Sequence, residues 1–127
     1  MTNYSGLINR FVIGDHLTVQ RDVTVPSGVT IALAWLTVKR KYSDVDANAI
    51  IQKRITTAEV VASGYISNPG SNGAGTVKFY LLPDDTDNLT AYSHYFYDIQ
   101  VKYSDDKIST EELGVITAYP QVTITTT

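Results

Sequence analysis

The chain has no cysteine, which excludes disulfides, thiolate metal sites and a cysteine nucleophile together. It has only two histidines, His16 and His94, far apart in sequence. A zinc centre needs further ligands with a recognisable second shell, and no spacing here supplies them. Leucine and glutamate are scarce, at 8 and 3 of 127 residues, so long helices are not expected. No apolar run approaches the roughly 20 residues of a membrane-spanning helix, and the opening MTNYSGLINR lacks the apolar stretch of a signal peptide. Ten basic residues stand against thirteen acidic ones, for a net charge of -3. That balance lacks the basic footprint that neutralises phosphates, so neither nucleic acid nor membrane is an expected partner. The nucleophile elbow G-x-S-x-G, the phosphate loop G-x-x-x-x-G-K-[ST] and a dinucleotide G-x-G-x-x-G are all missing. No catalytic, cofactor-binding or metal residue is assigned, no cofactor is expected, and the chain does not read as an enzyme.

Threonine, valine, isoleucine and the aromatics are abundant, making up 53 of the 127 residues. These types suit a pleated, half-buried surface, so the expected class is all-β. The length fits one domain, able to bury about two-thirds of its unfolded surface without covalent staples.

Period-two patterning divides the chain. Leu17, Val19, Val23 and Val25 alternate with polar residues, but Arg21 takes an inward position; a bulge or a partly exposed inward face would account for it. Pro26-Ser27-Gly28 breaks the strand. Val29, Ile31, Leu33 and Trp35 share one parity while Leu36 and Val38 take the other, which implies a bulge near Trp35 or a strand covered on both faces. Tyr42 to Asn48 reads as a turn, and strands are expected at Ile51–Ile55, about Glu59–Ile66 and Thr76–Leu82. Between the last two lies Ser67 to Gly75, rich in residues that supply turn dihedrals. Pro83 to Leu89 suggests one helical turn with acidic residues near its N-terminus. Tyr92 to Tyr103 is the clearest strand, with Tyr95, Tyr97, Ile99, Val101 and Tyr103 on one face. A turn at Ser104–Lys107 and two strands, Leu113–Ala118 and Gln121–Thr125, complete about eight strands.

Four groups could carry chemistry. Asp44, Asp46 and Asn48 begin like a calcium loop, but Ala49 and Ile55 stand where that loop needs Gly and Glu, so a polar turn is the better reading. Asp84, Asp85 and Asp87 could collect a hard cation, or could simply favour a helix start. The glycine-rich segment Gly70 to Gly75 leads into a strand and offers no helix dipole to a phosphate. Tyr92, Tyr95, Tyr97 and Tyr103 could form a core, a protein interface or a sugar-stacking platform. The sequon Asn88-Leu89-Thr90 would matter only in a secreted eukaryotic protein.

Several segments together resemble the immunoglobulin-like domain at the N-terminus of phage baseplate upper proteins and related phage virion proteins. Ile13-Gly14-Asp15 before Leu17-Thr18-Val19 is similar to that family's entry into its first core strand. Val29-Thr30-Ile31 through Leu36-Thr37-Val38-Lys39-Arg40 resembles its strand ending in basic residues. Val77-Lys78-Phe79-Tyr80-Leu81-Leu82-Pro83, then Tyr95-Phe96-Tyr97-Asp98-Ile99-Gln100-Val101, resemble the approach to its short acidic helix and its tyrosine-rich strand. Gly114-Val115-Ile116-Thr117 and Val122-Thr123-Ile124 resemble its closing hairpin. The family often has Gly just before the tyrosine strand, where this chain has Ala91-Tyr92-Ser93-His94.

The resemblance implies an immunoglobulin-like β-sandwich with one short helical turn over residues 11–127; the weakly patterned residues 1–10 read as an N-terminal arm. It implies a structural component of a tailed phage virion, in the tail, neck or baseplate. Such a component is made in the host cytoplasm and joins other virion proteins in a symmetric or homo-oligomeric assembly. The larger region that follows the domain in baseplate proteins is absent, so a stand-alone role is the expectation. Two alternatives are a capsid decoration or cement protein and a glycan-binding receptor module. The arm Met1–Arg10 and the segment Val122–Thr127 are the expected docking strands.

Overall fold

The computed structural model describes residues 10–41, 43–70 and 73–122. Eight strands build two sheets. They are β1 (Arg10–Val12), β2 (Leu17–Thr24), β3 (Ile31–Lys39), β4 (Ile51–Ile55), β5 (Gly64–Asn68), β6 (Ala74–Leu81), β7 (His94–Tyr103) and β8 (Ile108–Tyr119). One sheet has the order β1-β8-β7-β3-β4 and the other β2-β6-β5. The order β2-β6-β5 matches that of the B-E-D layer in immunoglobulin sandwiches, and β8-β7-β3-β4 that of the G-F-C layer with one added strand. The expected all-β sandwich of eight strands is therefore the fold. A short helix, α1 (Pro83–Thr86), lies where one helical turn was expected, and a 3-10 turn occupies Asp46–Asn48.

Strand parity selects the core. Alternate residues of β7 (Tyr95, Tyr97, Ile99, Val101, Tyr103) face inward with Val19 and Val23 of β2, Leu36 and Val38 of β3, and Val77 and Phe79 of β6. Tyr95 turns its hydroxyl back to accept the Thr90 N–H at 2.6 Å. A tyrosine near the start of this strand bonded to upstream backbone is a recurring corner of immunoglobulin sandwiches.

Arg21 faces inward without a bulge, for β2 pairs with β6 in unbroken register from Leu17 to Thr24. Its Nε lies 2.7 Å from Oε1 of Glu112 on β8, and the Tyr97 hydroxyl donates to Oε2 of the same carboxylate at 2.5 Å. The buried Glu112 thus joins β2 of one sheet to β7 and β8 of the other. Gly114 makes this possible, because a Cβ there would stand 2.5 Å from Tyr97 Cε1.

Three expected boundaries shift. The parity change in β3 comes from a bulge between Ile31 and Leu33, ahead of Trp35, and it turns Trp35 to the outer face. Residues 59–63 form a turn closed by a Val60–Gly64 bridge, so β5 starts at Gly64. There φ is +118° and a Cβ would meet the Lys78 carbonyl oxygen at 2.0 Å, a position only glycine fills. The final strand is one long β8 from Ile108, directly after the Ser104–Lys107 turn; Gln121 and Val122 are not in a strand. The rest of the expected strand to Thr125, and the docking segment beyond Val122, lie outside the described residues. So does the arm, except Arg10, which already belongs to β1.

Candidate interaction face

The inward set of β7 has an outward counterpart. Phe96, Asp98 and Gln100 alternate with the core tyrosines and stand beside Trp35 and Thr37 of β3 and Leu113 of β8. Together they floor a cleft of about 430 Å³ on the outer face of the five-stranded sheet. Volumes of this order suit small ligands or a partner's side chain. Two hydrogen bonds stiffen its floor: Gln52 Nε2 donates to Thr37 Oγ1 at 3.3 Å, and Gln100 Nε2 donates to Thr110 Oγ1 at 3.1 Å.

Charge is unevenly committed at this cleft. Lys39 Nζ sits 2.8 Å from Asp46 Oδ1 and also donates to the Asp44 carbonyl. The Lys39 hydrogen bond and charge lower the Asp46 pKa below its ordinary 3.8. Asp98 has no such partner: among the described residues its carboxylate takes part in no hydrogen bond or ion pair. Burial raises its pKa above 3.8, Lys39 opposes that shift, and Asp46 adds to it.

The outer face is also apolar at its edge. Ile108, Leu113, Val115 and Tyr119 of β8 are exposed. β1 covers β8 only from Thr117 to Tyr119, in parallel pairing, and among the described residues nothing else pairs with that edge. Tyr92 leaves this surface with φ +64° and packs edge-on against Tyr119, with ring centroids 5.9 Å apart.

The groups singled out in the sequence do not converge. Tyr95, Tyr97 and Tyr103 are core residues, and burial raises the Tyr103 pKa, so only Tyr92 of that set is exposed. Asp44 Oδ2 accepts the Lys41 N–H, and Asp46 serves Lys39. Asp85 accepts the Leu82 N–H at 2.8 Å and pairs with Lys53 at 2.8 Å, while Asp84 and Asp87 are exposed. Asn68 Oδ1 accepts the Gly70 N–H, shaping the glycine loop as a turn; Ser71 and Asn72 lie outside the described residues. His94 Nδ1 lies 2.9 Å from Thr117 Oγ1, and His16 is exposed before β2. Among the described residues no three His, Asp or Glu side chains group closely enough to hold a metal ion, and no helix is long and apolar enough to cross a membrane.

Sequence reasoning missed the cleft. Its signal was present in the polar parity of the tyrosine strand, where Phe96 interrupts an otherwise polar face. No protein-family model, curated protein or solved structure matches this chain.

Proposed function

We propose that the chain is a structural component of a tailed bacteriophage virion, a tail, neck or baseplate adaptor acting by protein–protein assembly. The observation that carries this reading is the outer face of the five-stranded sheet. It combines a cleft floored by Trp35 and Phe96 with an apolar β8 edge that, among the described residues, is paired only from Thr117 to Tyr119. Aromatic anchors in pockets and open sheet edges are the features through which domains dock on neighbours. The segments resembling phage immunoglobulin-like domains, from Ile13-Gly14-Asp15 to Gly114-Val115-Ile116-Thr117, supply the virion context. A glycan platform made of the β7 tyrosines is disfavoured, since Tyr95, Tyr97 and Tyr103 are buried.

Purified particles of the phage that encodes the chain, separated from lysate on a density gradient, provide the test. Quantitative mass spectrometry is expected to find the chain in fixed ratio to the major capsid protein. A copy number matching a tail or neck ring supports the adaptor role, and one matching the capsid lattice replaces it with a decoration role. A chain abundant in lysate and missing from particles overturns the virion reading.

A further inference from the structure

Among the described residues, Asp98 is the one acidic group of the outer cleft without a partner of its own. The charges that act on it are Lys39 and Asp46, and these two are committed to each other at 2.8 Å. Arg54 stands opposite Trp35 on β4, is exposed, and is not among the groups that influence Asp98. The cleft therefore carries one surplus negative charge. Its lone carboxylate is half-buried beside the half-buried ring of Trp35.

A desolvated carboxylate next to an aromatic face selects a cation that is flat and weakly hydrated. A guanidinium meets both demands, since it stacks on an indole and offers a planar fork of N–H donors to a carboxylate. A lysine ammonium is more strongly hydrated and brings only a point charge. A neutral sugar would stack on Trp35 but leave the surplus charge unanswered. We propose that this cleft receives an arginine side chain from a partner protein, with the guanidinium over Trp35 and paired with Asp98. The proposal rests on the assembly reading above and names what the interaction face recognises.

Trp35 is the only tryptophan of the chain, so tryptophan emission reports on the cleft directly. The full chain is titrated with a blocked pentapeptide, acetyl-Gly-Ser-Arg-Ser-Gly-amide. Matched peptides carry citrulline, the neutral isostere, or lysine in place of arginine, and a neutral hexasaccharide forms the fourth arm. A saturable change in emission is expected with the arginine peptide, about tenfold weaker with citrulline, and intermediate with lysine. Asp98→Asn is expected to remove the preference for arginine over citrulline while keeping a cooperative thermal transition. Equal binding of the arginine and citrulline peptides overturns the proposal, as does an arginine preference that survives in Asp98→Asn. Saturation by the hexasaccharide alone replaces the arginine with a glycan. An emission change on concentrating the protein without peptide, lost in Asp98→Asn, makes the occupant a second copy of this chain, which also overturns it. Failure here leaves the particle mass spectrometry untouched, and absence from particles leaves the titration standing, so the two readings fail separately.

Discussion

Glu112 shows how one side chain can hold two sheets together where no disulfide is possible. Its carboxylate is almost fully buried, and it is tolerated because Arg21 and Tyr97 both bond it. Removing one partner strands the charge, and replacing the whole set by apolar groups does not. Arg21→Met is expected to cost about 2–3 kcal/mol, less than the about 3–5 of a fully buried pair, because the Arg21 side chain keeps contact with water. The triple variant Arg21→Met, Tyr97→Phe, Glu112→Leu is expected to recover most of that loss; urea unfolding of the two proteins decides it. Gly114→Ala drives a methyl into the Tyr97 ring and is expected to cost about 1–3 kcal/mol by the same measurement. Composition could flag Arg21 as misplaced in an apolar stripe, but its partner lies 91 residues away, beyond any local pattern.

Among the elements, the most legible was β7, whose strict alternation reports one face on the core and one outside. β3 was harder, because its bulge falls at Ala32, an unremarkable residue, and a single inserted residue reverses every side chain after it. β8 hides a second irregularity. Its register shifts opposite Ile99 and Gln100, so Thr110 and Glu112 pair with consecutive residues of β7. An alternation read directly from the sequence of β8 therefore loses phase near Glu111, where Ser109 hydrogen-bonds the Glu111 carboxylate. Short as it is, α1 depends on Asp85, which caps the Leu82 N–H and neutralises the largely buried Lys53. Asp85→Ala is expected to lower stability by about 1–2 kcal/mol, and Asp85→Asn to lower it less because the cap survives; thermal melts of both variants check the order.

For the molecule as a whole, the sandwich could be read from composition and turn spacing, while the cleft could not, because it needs β3, β4, β7 and β8 to meet in register. Its cost should be measurable. Burial raises the Asp98 pKa, so the folded protein holds that proton more tightly than the unfolded chain. Stability then falls as pH rises from 3.8 through the raised value, and above it the ionised carboxylate remains a penalty. Asp98→Asn is expected to melt above the parent at pH 7, with the two melting curves converging below pH 3.8. A site that destabilises its own fold is the ordinary consequence of holding a group ready for a partner. The parallel pairing of β1 with the end of β8 carries a mechanical consequence. Arg10, Phe11 and Val12 lie beside Thr117, Ala118 and Tyr119, and Ile13 N–H bonds the Tyr119 carbonyl at 2.8 Å. Tension applied through the residues flanking this pair pulls the two strands along each other, so their hydrogen bonds bear the load together in shear instead of parting one by one. A pull entering ahead of β1 and leaving beyond β8 therefore meets this three-residue clasp loaded in shear.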